Sequence, residues 1–234
     1  MEKMIYENKI TLYNSYFNAH DKLSLKAILS IFQDVASIHA EEIGVGFSDM
    51  VKKGFYWVLI RIKIDVIKMP KPNETVLVST WPLEKGRIDF DREFKICSLG
   101  GETLITGVSK WCVIDTTTRT LKRTDGVDYV GEYVDQKIYL EPFNKITLPN
   151  DMGKKQLTHV VNYSDLDHNW HMNNTNYANL ISAVCKNKDF THFEINFISE
   201  CMENQEISVY SKEENGEFFV GKVGEKVSFT AYLK

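Results

Sequence analysis

The chain has 234 residues, 43% of them hydrophobic and 26% charged, a balance that allows a packed core and excludes an intrinsically disordered chain. A net charge of −4 gives phosphates no general attraction, so nucleic acid is not an expected partner. The length admits one large fold or two fused small ones, and four cysteines without a Cys-x-x-Cys pair (Cys97, Cys112, Cys185 and Cys201) speak for free thiols rather than a metal knuckle.

At the N-terminus, acidic residues stand where a secretory signal needs a basic and then an apolar stretch, and no later apolar run is long enough to span a bilayer. The expectation is a cytoplasmic protein without membrane insertion. Ser24 then opens a stretch in which Leu25, Ile28, Leu29, Phe32, Ala36 and Ala40 recur at three- and four-residue steps up to Gly44, which predicts a long capped helix. Beyond it the period changes, and β-branched and aromatic residues predict strands over 57–66, 75–81, 90–97 and 104–114.

A segment around 129–155, with Pro142 and Pro149, has little periodicity and reads as a linker. The order then repeats. Asn173 or Asn174 caps a second helix carrying Tyr177, Leu180, Ile181 and Val184, and strands are predicted over 192–200, 206–210, 218–223 and 227–233. Setting Ser24 opposite Asn173 pairs Phe17 with Leu166, Ile28 with Tyr177 and Phe32 with Ile181 without gaps. One long helix followed by antiparallel strands, written twice, predicts an α+β tandem hot-dog, two sheets each wrapped around its helix. The expected parts are an N-terminal hot-dog over 1–130, a linker over 131–155 and a C-terminal hot-dog over 156–234.

The densest polar cluster, residues 164–177, stands directly before the second helix. In an extended stretch Asp167, Asn169 and His171 point the same way and converge on one pocket. The helix that follows would aim free N–H groups and its positive end at negative charge gathering there. The same residue types also favour turns and caps, which is the bland reading of the cluster. The aligned first-half stretch, Asn18-Ala19-His20-Asp21-Lys22, lacks the Asn and His at the positions aligned with Asn169 and His171, so chemistry is expected in one half only. His20, His39, His159 and His192 show no metal-ligand spacing and read as surface or satisfied histidines.

Ser164-Asp165-Leu166-Asp167-His168-Asn169-Trp170-His171-Met172-Asn173-Asn174-Thr175-Asn176-Tyr177 resembles the signature S-D-x-D-x-N-x-H-x-N-N-x-x-Y of the acyl-ACP thioesterases of plants and bacteria. Ser199-Glu200-Cys201 resembles that family's Glu-Cys pair, and Arg92 to Phe94 through Trp111 and Asp115 extends the likeness into the first half. The resemblance implies a double hot-dog hydrolase with Asp167, Asn169, His171 and Glu200 at catalytic positions. Its partner would be an acyl carrier protein bearing a fatty acyl chain, with no cofactor or metal beyond the phosphopantetheine arm of the substrate. It also implies an acyl-chain cavity in the first half, near Phe32, Tyr56, Trp57, Trp81 and Phe94, which otherwise read as core. His168 and Trp170 stand at variable positions, where Trp170 would narrow the entrance.

A thioester needs only a positioned water and a base, a role that falls to Glu200, with Asn169 and helix N–H groups at the oxyanion. Asp167 would orient Asn169 or His171. The competing mechanism makes Cys201 a nucleophile paired with His171; in a regular strand Glu200 and Cys201 face opposite ways, which favours Glu200. An acyl-CoA thioesterase, a hot-dog dehydratase and a non-catalytic acyl-binding module remain as alternatives, and a homodimer and the preferred chain length are left open. Lys52, Lys53, Lys68, Lys71, Lys85, Arg87, Lys122 and Arg123 are the basic residues available to an acidic carrier, or simply to solvent.

Overall fold

Strand β1 (Tyr6–Thr11) precedes the long helix α1 (Leu25–Glu42) and a short helix α2 (Phe47–Lys52). Four strands follow: β2 (Phe55–Val66), β3 (Thr75–Pro82), β4 (Phe90–Ser98) and β5 (Thr103–Asp115). Every pairing among them is antiparallel, in the order β1-β3-β4-β5-β2. These elements form the first of two units, Met1–Pro142 and Phe143–Lys234, of a computed structural model that describes residues 2–141, 143 and 146–234. Pro142 of the expected linker lies outside the described residues.

The apolar stripe read from the sequence is the buried face of α1: Leu25, Ile28, Leu29, Phe32 and Ala36 are all buried. Ser24 caps the helix, its Oγ accepting from Ala27 N at 3.1 Å, and Gly44 follows the C-terminus at φ +72, a left-handed geometry that suits glycine. Phe32 lies flat on Phe94 of β4 with centroids 4.4 Å apart. Gly107, the β5 partner of Phe94, makes this possible, because a Cβ there would stand 2.4 Å from the Phe32 ring.

Between Phe90 and Phe94 the same strand sends Arg92 into the core, where Nη1 meets His39 Nδ1 at 2.9 Å and donates to Thr80 Oγ1 at 3.2 Å. Burial lowers the Arg92 pKa to about 10. His39 is driven down to about 3, by burial first and the Arg92 charge second. It is therefore a neutral ring whose Nδ1 accepts and whose Nε2 carries the proton. From the neighbouring position Glu93, also buried, holds residues beyond the sheet: its carboxylate accepts Ile138 N at 2.8 Å and Tyr139 N at 2.8 Å, and the Tyr139 hydroxyl donates to Asp65 at 2.7 Å.

The second unit contains β6 (Lys155–Val160), α3 (Asn174–Val184), β7 (His192–Phe197), β8 (Glu206–Glu213), β9 (Glu217–Val223) and β10 (Lys226–Leu233). Its antiparallel order is β7-β10-β9-β8-β6. Read from the opposite edge, this is the order of the first unit element for element, with the strand before the helix at one edge and the strand after it at the other. Each unit is thus a hot-dog, as the repeated pattern predicts. The edge strands β1 and β6 and the helix α2 are additions to the sequence reading; β1 and β6 are mostly exposed or half-buried and so carry little apolar alternation. One strand is shorter than expected. The run over 192–200 ends at Phe197, leaving Glu200 and Cys201 in the connection that follows. Among the described residues no helix is long and apolar enough to cross a membrane.

Candidate active site

The polar run before α3 is a tight turn, not the extended stretch the alternation argument assumed. Asp167 N donates to His171 O at 2.8 Å and Trp170 N to Asp167 O at 3.0 Å, while Leu166 bridges Met172 across the base of the turn. The Asp167 carboxylate accepts Asn169 N at 2.8 Å, an Asx-type contact that fixes the turn. Asp167, Asn169 and His171 are therefore gathered by a reversal of the chain rather than by strand alternation.

Caps fix this turn to the helix. Asn173 Oδ1 accepts from Thr175 N at 2.9 Å and from Thr175 Oγ1 at 2.8 Å. Asn173 N donates to Asp165 O at 2.8 Å, and Asn176 Nδ2 reaches the same carbonyl at 3.0 Å. The Asp165 carboxylate accepts Asn162 N at 3.0 Å and lies 2.8 Å from His159 Nε2. Asp165 and Asn173 of the motif thus build the frame. One expectation needs revising here: the N–H groups of Thr175 and Asn176 are taken by Asn173, so the start of α3 does not present them to a substrate.

The frame brings the turn against the connection after β7. Met172 N donates to Cys201 O at 2.8 Å, and His171 pairs with Met202 as an isolated bridge. These contacts place His171 Nε2 3.2 Å from Glu200 Oε2. The imidazole is largely covered, with 14% of its side chain exposed, and the carboxylate is open at 39%, so one edge of the pair faces solvent. Asn169, two residues before His171 in the same turn, is exposed.

Cys201 points the other way and is fully buried. Its Sγ lies 2.9 Å from Ser228 Oγ, which donates to Ser199 O at 3.1 Å. The buried Tyr177 hydroxyl also bonds Cys201, and burial above all pushes its pKa up. No sequence signal marked Ser228, because its contact with Cys201 spans 27 positions. Glu200 and Cys201 do face apart, but through an irregular connection rather than through strand alternation.

The first unit makes the same turn. Asn18 N donates to Lys22 O at 2.9 Å and Asp21 N to Asn18 O at 3.0 Å, and Asn18 Oδ1 accepts His20 N at 2.9 Å. Trp170 and Asp21, equivalent in the two turns, have φ +64 and +53. The connections after β2 and β7 match as well, since Asn73 N donates to Leu12 O at 2.7 Å and Asn204 N to Val161 O at 2.8 Å. Counting back four residues from each asparagine sets Met69 where Glu200 stands. Asp167, Asn169, His171 and Glu200 are thus matched by Asn18, His20, Lys22 and Met69, a set with no carboxylate.

Five of the eight basic residues named above are paired with carboxylates: Lys52 with Asp49, Lys68 with Glu102, Lys85 with Asp128, Lys122 with Asp115 and Arg123 with Asp125. Such pairs reduce the charge these residues offer to an acidic partner.

Comparison with known proteins identifies the family and the fold. The model for the acyl-ACP thioesterase N-terminal domain matches residues 3–131, and that for the C-terminal domain matches residues 150–227. The chloroplastic acyl-(acyl-carrier-protein) hydrolase FATB3 of Cuphea viscosissima is 30% identical over 176 residues, covering 69% of this chain and 42% of the relative. Oleoyl-acyl carrier protein thioesterase 2 of Arabidopsis thaliana is 29% identical over 195 residues, covering 74% and 52%. The chain spans about half the length of these curated relatives. An acyl-ACP thioesterase from Bacteroides thetaiotaomicron has the same fold, with a TM-score of 0.88 at 23% identity over 98% of this chain and 97% of that one. So does a 12:0-ACP thioesterase from Umbellularia californica, at 0.86 and 18% over 100% and 98%.

Proposed function

The chain belongs to the acyl-ACP thioesterase family, and on that premise we propose that it hydrolyses the thioester of a fatty acyl group carried on acyl carrier protein. The products are the free acid and the carrier's thiol. The observation that carries this reading is the His171–Glu200 pair, 3.2 Å apart and open to solvent on one edge, at the end of the turn that bears the family's motif.

A water seated at that edge gives a proton to Glu200 as its oxygen attacks the thioester carbon. The carbonyl oxygen gathers negative charge, which the exposed Asn169 amide stabilises by donating to it. Collapse breaks the C–S bond, and the proton returns from Glu200, through or beside His171, to the leaving sulfur. Asp167 acts on the geometry, since its carboxylate holds the Asn169 backbone. Cys201, buried against Ser228 and facing away from the pair, is a packed thiol in this scheme and not the nucleophile. The acyl carrier protein is the proposed partner, and the cytoplasm the proposed location.

Incubating the purified chain with acyl-ACP tests the reading. Free thiol and fatty acid should appear in equal amounts. An intact thioester, or loss of a 3-hydroxyacyl substrate without free thiol as a dehydratase predicts, contradicts it. Faster turnover of acyl-CoA at equal chain length would keep the chemistry and change the carrier.

A further inference from the structure

Trp170 occupies a backbone position that disfavours it. At φ +64 its Cβ crowds the backbone, and asparagine, aspartate or glycine fits such a turn better. The first unit puts Asp21 at the equivalent place with φ +53, so the turn itself has no need of an indole. Burial does not reward the indole either, since Trp170 is 63% exposed. Its neighbour Tyr163 is 71% exposed, and the rings meet edge to face with centroids 6.5 Å apart. Trp170 directly precedes His171, so the indole of this aromatic pair belongs to the same turn as the proposed site.

We propose that Trp170 and Tyr163 clamp the pantetheine arm that carries the thioester, an inference that rests on the function proposed above. Two groups leave a thioester carbon. The acyl chain is apolar along its length and gains only where water is excluded. The arm carries amides and dimethyl carbon and stays partly hydrated. Two exposed rings, each with a polar N–H or O–H edge, suit the arm and cannot enclose a chain. The unfavourable backbone at Trp170 is then retained for what the indole binds.

Calorimetric binding of a non-hydrolysable acyl-pantetheine thioether tests this, beside a thioether of the same acyl chain ending at N-acetylcysteamine, which lacks the outer arm. Trp170→Asn should weaken the pantetheine probe about tenfold and the truncated probe less than twofold, while Tm rises by about 2 °C as the backbone relaxes. Equal weakening of both probes would assign the indole to the acyl chain. Unchanged affinity for the pantetheine probe, or a fall in Tm, would make Trp170 a structural residue. Each of these results overturns the clamp. The clamp test is independent of turnover: tight binding of the probe by a chain that hydrolyses nothing would refute the hydrolase reading and leave the clamp standing. An acyl-ACP and an acyl-CoA thioether, bearing the same arm, should show the same loss.

Discussion

At the residue scale, two histidines illustrate what burial and partners decide. His171 keeps an edge to solvent and faces a carboxylate, the arrangement of a group that takes part in proton traffic. His39 is enclosed and faces a guanidinium; burial first and that charge second hold it neutral, with a pKa of about 3 against an ordinary 6.5. The unfolded chain therefore takes up this proton first as pH falls. The His39 contribution to stability is complete above pH 6.5 and is lost progressively on going down toward pH 3, at up to about 1.4 kcal/mol per pH unit. His39→Gln, whose amide oxygen can still accept from Arg92, should flatten that acid limb. Urea midpoints measured from pH 7 to pH 4 check it, and equal slopes in both proteins would contradict it. The candidate residues were named in the sequence from a motif, but the proximity of His171 to Glu200 was not legible there. It depends on two backbone contacts, Met172 to Cys201 and His171 to Met202, made between segments about thirty positions apart.

At the element scale, α1 and α3 were legible because a cap and an apolar stripe coincide. Ser24 and Asn173 each accept from a backbone N–H of the first turn, at 3.1 and 2.9 Å. The other strands were legible from their β-branched and aromatic runs, while β1 and β6 lie at sheet edges, mostly exposed or half-buried, and lack that pattern. The turn over 167–171 was misread as extended, since polar residues show no period from which a reversal could be inferred. Asn173 has a double duty as cap of α3 and anchor of the turn, so Asn173→Ala should lower stability by about 1 kcal/mol, or roughly 2–4 °C in Tm. Ser24→Ala should cost a similar amount. Only the first should also lower turnover, by tenfold or more, because the turn it anchors holds His171 against Glu200. Equal turnover in the two folded variants would detach the cap from the site.

At the scale of the whole molecule, the chain is one plan executed twice and equipped once. Strand order, helix cap, turn and asparagine reversal recur in both units, yet Asn18, His20, Lys22 and Met69 offer no carboxylate. Duplication was legible from gapless apolar alignment around Ser24 and Asn173, and the expectation of chemistry in one half came from the aligned stretch Asn18 to Lys22; the absence of a carboxylate opposite Glu200 showed only once Met69 could be set against it through matching hydrogen bonds. The central claim is that water is activated by Glu200 of the second unit while Cys201 serves packing. The measurement that tests it most directly is the ratio of turnover numbers of Cys201→Ser and Glu200→Gln on the same acyl-ACP, with folding confirmed by circular dichroism. Cys201→Ser nearly conserves volume and provides a much weaker nucleophile, so it should keep most of the activity, whereas Glu200→Gln should lose about a hundredfold, giving a ratio of about 50 or more. A ratio below 1, with an acyl adduct trapped on Cys201 of the unmodified protein, would contradict the account.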